Sequence, residues 1–191
     1  MSTYALFISV TDLKESGWID ENLDDRMIRA CILDAQKIHT RDMIGSGIYD
    51  EINSQKIAGS LTALNTTLLG YIKDALIQWT LYEGIDVWNY KIRNKAVMTS
   101  TSDNSNPVDA DVIRKLGERF QNKAEYYDER LRRYLIQNQS SYPLYFNPGS
   151  QVDTIYPKNE SYSVNWALGN NKESWSGNSD IDRAEYPGIF C

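Results

Sequence analysis

The chain has 191 residues, of which 41% are hydrophobic and 12% aromatic, and it carries a formal net charge of −6. That length suits one domain with an appendage, and the excess of acids repels phosphate backbones, so general nucleic-acid binding has no support from bulk charge. A single His and two Cys exclude a His-based zinc cluster and a disulfide framework, and no apolar run approaches the roughly 20 residues of a membrane span.

From the N-terminus, Met1 to Val10 has no basic residue ahead of its short apolar stretch, so it does not read as a signal peptide. The protein is expected to be cytoplasmic or assembled in the cytoplasm, with no membrane partner. Thr11 followed by Asp12-Leu13-Lys14-Glu15 predicts a short capped helix stopped by Gly17. From Asn22 to about Arg41, apolar residues recur every three to four positions, and Asp24 and Asp25 suit the positive end of a helix dipole. Cys31 falls inside this helix, as a small buried apolar residue. Gly45-Ser46-Gly47 breaks the chain, and Ile48 to Ile57 reads as a weaker helix or turn.

Asn65 is a cap candidate for a third helix running to about Tyr82. Its stripe of Leu68, Leu69, Ile72, Ala75, Leu76, Trp79 and Tyr82 is broad enough to be buried from two sides. Gly84 is a stop signal, although Ile85 to Ile92 is apolar enough to extend the helix. Residues 91 to 108 change character. Ala96-Val97-Met98-Thr99 is compatible with a strand, and Ser100 to Pro107 is rich in turn formers, which predicts a projecting loop or irregular hairpin. Ile113, Leu116, Phe120, Ala124, Tyr127, Leu131 and Leu135 then trace one face of a long helix started by Asp109 or Asp111. Arg130, Arg132 and Arg133 lie near its negative end, where they compensate the dipole.

After Gln139 the helical period vanishes, yet aromatic residues continue among Asn, Ser, Gly and Pro. A flexible tail is expected to be poor in such residues. This segment reads as an extended arm that lies across its own domain or a neighbouring subunit. The expected architecture is mainly α: a bundle of three to four main helices over 1–140, interrupted by the loop or hairpin at about 91–108, and an arm over 141–191.

No motif points to catalysis. His39, near a helix end, reads as a dipole or capping residue. Gly45-Ser46-Gly47 lacks the setting of a dinucleotide or phosphate loop, and the acid pairs Asp24/Asp25 and Asp109/Asp111 are explained by capping. No enzyme activity, cofactor or metal is expected.

In order of features the chain resembles the head–tail connector, or adaptor, proteins of tailed bacteriophages, in particular those of crAss-like phages. The resemblance rests on Phe7-Ile8-Ser9-Val10-Thr11-Asp12-Leu13 before the helix beginning near Leu23, the Trp79 helix, and the loop Asn94-Lys95-Ala96-Val97 with Ser102-Asp103-Asn104-Ser105. It closes with Lys123-Ala124-Glu125-Tyr126-Tyr127 to Arg130-Leu131-Arg132-Arg133-Tyr134-Leu135, and it covers about Met1 to Pro143.

The resemblance implies a structural virion protein at the head–tail interface. Copies would form a ring, usually twelvefold, beneath the portal protein, extending the DNA channel and giving tail proteins a platform. DNA would only pass through. The loop and the arm are the parts available for such contacts. The candidate residues are Lys95, Val97, Met98, Asp103, Asn104, Tyr142, Tyr145, Phe146, Tyr156, Trp166, Trp175 and Phe190. The alternative is a small helical DNA-binding or regulatory module that uses the basic residues of the last helix as its contact surface.

Overall fold

The structure, a computed structural model, describes residues 4–93, 96–99, 109–150 and 152–158, with residues 89–99 described as backbone only. Two compact units divide the chain at Ser161/Tyr162, and the second, Tyr162–Cys191, lies outside the described residues. The first is mainly helical, as the periodicity predicts.

Helix α1 (Val10–Lys14) is capped by Ser9. The Asp12 amide donates to Ser9 Oγ at 3.1 Å and the Ser9 amide donates to the Asp12 carboxylate at 2.8 Å. This reciprocal box places the start two residues before the expected Thr11 cap. Helix α2 (Asp25–Ala35) starts at Asp24, whose side chain accepts from the Arg26 amide at 2.9 Å. Cys31 is buried on it, and burial pushes its thiol up to about 11, which fits an inert apolar role.

The helix does not end near Arg41. A π-helical turn, Gln36–Thr40, joins α2 to α3 (Arg41–Ala58). The break comes at Gly45, whose φ of 77° and ψ of 159° no helix accommodates. Helix α4 (Ala63–Asn89) is longer than expected at both ends. Thr62 Oγ1 accepts the Asn65 amide at 3.2 Å, so Thr62 supplies the cap. Asn65 is buried instead, its Nδ2 donating to Glu51 and Gln55 at 3.0 and 2.9 Å. Gly84 does not stop α4, because its missing Cβ makes room for the Trp88 ring one turn on.

Strands β1 (Tyr90–Arg93) and β2 (Ala96–Thr99) form the expected hairpin, antiparallel with Lys91 opposite Met98 and Ile92 opposite Val97. Helix α5 (Ala110–Gln137) then returns along α4. Its inward residues Phe120, Ala124, Leu131 and Leu135 are buried, as the spacing predicts. The core joins them to Ile28 and Ile32 of α2, Ile44, Ile48 and Ile52 of α3, and Leu68, Ile72, Leu76, Trp79 and Leu81 of α4.

The first part of the expected arm belongs to this body. Tyr142 and Tyr145, which flank and form the short α6 (Pro143–Phe146), are buried in the core of their own chain. The Tyr142 hydroxyl donates to the Leu64 carbonyl at 3.0 Å. The chain then crosses the Gly45-Ser46-Gly47 break. The Ser46 amide donates to the Ile155 carbonyl at 3.0 Å, and the Ile155 amide donates to Ser46 Oγ at 3.1 Å. Arg41 and Asp42 hold Asp153 and Lys158 at 2.9 and 2.7 Å.

Those glycines are sockets for the returning strap. A Cβ on Gly47 would lie 2.8 Å from Pro148 Cα and 3.0 Å from the Leu144 carbonyl oxygen, and one on Gly45 would lie 2.9 Å from Pro157 Cδ. Gly47→Ala should therefore destabilise by about 1–3 kcal/mol in urea unfolding, although alanine is the better helix former. Gly70→Ala, on an exposed face of α4 with nothing within 4 Å of the added methyl, should stabilise by about 0.5–1 kcal/mol. Equal effects at the two sites would show that the strap is not seated in the notch.

Candidate functional site

Of the residues expected to make contacts, Val97 and Met98 lie in β2, where only the backbone is described. Lys95, Asp103, Asn104, Trp166, Trp175 and Phe190 lie outside the described residues. Phe146 and Tyr156 are exposed, at 44% and 63%, on the strap that also buries Tyr142 and Tyr145. The structure thus splits this set rather than gathering it.

A more concentrated surface lies on the outward side of α5. Lys115, Arg119 and Lys123 are spaced four residues apart, one turn after another. Trp18, 44% exposed, packs edge-on against Phe120 at 5.2 Å, with the Arg119 guanidinium and the Lys123 amine 5.4 and 5.2 Å from its ring centre. Tyr126 continues the face at 69% exposure. Among the described residues these three cations make no ion pair with a carboxylate. By contrast, Arg130 meets Asp74 at 3.5 Å, while Arg132 and Arg133 meet Glu129 at 2.8 and 2.9 Å. The arginines read from the sequence as compensating the helix dipole are engaged by acids within the fold, and the cations without a carboxylate partner lie two to four turns earlier.

A groove of about 510 Å³ runs between α4 and α5 at their hairpin end. Its walls include Tyr82, Ile85 and Ile113, and Gly117 deepens it, the nearest atoms to a Cβ there being in the Tyr82 ring at 3.9 Å. Glu83, Asp86 and Glu118 bring negative charge to the groove, and its cation, Arg114, is held by Glu118 at 2.6 Å.

Behind Glu83 lies a partly buried ionisable cluster. His39 sits in the π-helical turn, not at a helix end, so it caps nothing. Its ring stacks on Trp79 at 3.7 Å and 4°, and its Nε2 meets Glu83 Oε1 at 2.8 Å. Trp79 Nε1 in turn donates to Asp128 Oδ2 at 2.8 Å. Burial pulls His39 below the ordinary imidazole value, and the bond to Glu83 restores only part of the loss. Burial raises the Asp128 carboxyl to about 7, against the Trp79 N–H and the Arg132 charge, which both favour the anion. The sequence could not reveal this cluster, because its members come from α2–α3, α4 and α5.

The fold is a helical bundle whose two longest helices are linked through a two-stranded hairpin. The chain belongs to DUF6712, a family of unknown function, whose model matches residues 40–155. That match begins at the last residue of the π-helical turn and takes in the glycine notch, α4, the hairpin, α5 and most of the strap. No curated protein and no solved structure matches the chain. Among the described residues no helix is long and apolar enough to cross a membrane.

The cluster sets a pH dependence. Asp128 has its carboxyl raised from 3.8 to about 7 by folding, so its contribution to stability is complete below pH 3.8 and is lost as pH rises through 7. The upper limit is about 4 kcal/mol at ~1.4 kcal/mol per unit. His39, lowered from 6.5, acts in the opposite sense: its contribution is present above pH 6.5 and is lost as pH falls. Asp12, lowered to about 2 by its bonds to Lys73 and Ser9 despite burial, acts below this window. Asp128→Asn, which keeps an acceptor for Trp79, should raise stability at pH 8 by about 1–3 kcal/mol and flatten the profile between pH 4 and 8. An unchanged profile in urea titrations would show that Asp128 does not carry it.

Proposed function

We propose that this protein is a structural subunit of a virion: one copy of a head–tail connector ring that sits beneath the portal, extends the DNA channel and receives tail components. The observation that carries the reading is the outward face of α5, where Trp18 and Tyr126 remain exposed beside cations that make no ion pair with a carboxylate among the described residues. Large aromatic groups beside desolvatable cations supply the type of surface that protein partners cover. The hairpin between α4 and α5 agrees with the projecting element of connector proteins and offers unpaired strand edges at one end of the bundle.

The DNA-binding alternative cannot draw on Arg130, Arg132 and Arg133, which are each engaged by acids, and would rest on Lys115, Arg119 and Lys123. A path for DNA that does not grip it is compatible with a chain of net charge −6.

The test is electron microscopy of the full-length chain, alone and mixed with the portal protein encoded in the same genome. Rings, or a complex with the portal vertex, are expected. Failure to join portal particles under any condition would remove the connector reading. Truncation tests should retain residues through Lys158. A cut after Ser140 discards buried Tyr142 and Tyr145 and the Ser46–Ile155 pairing, and should lower stability by about 3 kcal/mol or more. A melting curve unaffected by that cut would contradict the seating of the strap.

A further inference from the structure

We infer that the basic ridge of α5 is one half of a contact between copies of this chain, and that the acidic groove between α4 and α5 of the next copy is the other half. The inference deepens the connector reading by naming the surfaces through which subunits would meet.

At 3.6 residues per turn, Lys115, Arg119 and Lys123 lie largely on the opposite side of α5 from Gly117 and Gln121, which line the groove. One copy therefore presents the two surfaces in different directions. A contact of ridge to groove is heterologous: each copy gives one face and accepts with the other, which generates a closed ring or an open filament.

Charge favours this pairing. Copies with net charge −6 repel one another in most orientations. The ridge offers three uncommitted cations, and the groove offers Glu83, Asp86 and Glu118 against Arg114 alone. Glu83 is partly engaged by His39 and Glu118 by Arg114, while exposed Asp86 has no ion-pair partner among the described residues. Shape agrees as well. The groove is apolar at Tyr82, Ile85 and Ile113, and Gly117 adds depth. Such a floor accepts the methylene stems of Lys and Arg, or the ring of Tyr126, while the acids meet the charged ends.

Two full-length variants test it: K115E/R119E/K123E for the ridge, and D86K/E118K for the groove. In low salt the wild type should self-associate in light scattering, and each variant alone should do so at least roughly tenfold more weakly, a loss of about 1.4 kcal/mol. Mixing the two should restore association, because the reversed charges again find opposite partners. Circular dichroism of each variant checks that the helices are intact. A wild type that stays monomeric at its highest soluble concentration would overturn the inference, as would variants that associate normally or a mixture that does not recover. Duplex DNA binding lost only in the ridge variant would reassign the ridge to nucleic acid and also overturn it. If the ridge variant still joins portal particles while ring contacts are unaffected, this interface falls and the connector reading stands.

Discussion

From Tyr71 to Ile85 helix α4 has no fully exposed residue, and the rest of the fold is arranged to cover it. Leu68, Ile72, Ala75, Leu76, Trp79, Leu81 and Ile85 are buried around it, and even Thr80 is fully enclosed, its hydroxyl returning to the Leu76 carbonyl at 2.7 Å. A helix apolar on most of its circumference needs partners on several flanks. Helix α2 and the π-helical turn cover one, and α5 covers another. The cost of this arrangement falls on polar groups caught between layers. Trp79 carries an indole N–H into the packing and must find an acceptor, which Asp128 supplies. His39 enters on the other face of the same indole. The ionisable cluster is therefore a consequence of burying α4, and Asp128 pays for it with a carboxyl held near neutrality.

The elements that the sequence made legible are those whose signal is local. The stripe from Ile113 to Leu135 marks α5 almost to its ends, and Gly45 marks the break in α3 through a positive φ that only glycine adopts readily. Where local signals failed, a side-chain contact elsewhere in the fold or one turn along the helix had overridden them. Asn65 looks like a cap, but Glu51 and Gln55 recruit its amide, and Thr62 caps in its place. Gly84 looks like a stop, but it accommodates Trp88. Gly47 seemed part of a flexible break, yet its missing side chain admits Pro148 from a hundred residues further on.

The candidate surfaces were less legible for a related reason. Whether a cation is free depends on which carboxylates the fold places beside it. In sequence, Arg130, Arg132 and Arg133 are the denser basic group, and Lys115, Arg119 and Lys123 are diluted among acids. Folding reverses their standing, because Asp74 comes across from α4 to Arg130, and Glu129 lies within one turn of both Arg132 and Arg133. Trp18 could not be assigned to the second group at all, since the short α1 region reaches α5 only through tertiary packing.

The aromatic residues after Gln139 suggested a surplus of apolar area that an isolated copy could not hide. For residues 142–158 that surplus is in large part internal. Tyr142 and Tyr145 complete the core, Ile155 docks in the glycine notch, and salt bridges from Arg41 and Asp42 fix the strap at its far end. Phe146, Val152 and Tyr156 stay exposed on the strap, and Trp18 and Tyr126 stay exposed beside the cations of α5. Helix α5 buries one face against α4 and carries Arg119, Lys123 and Tyr126 on another, beside Trp18. On the described body, the surface fit for a partner is thus the unshared face of one helix rather than the strap, and its fit depends on complementary charge and shape, which are properties of the folded surface.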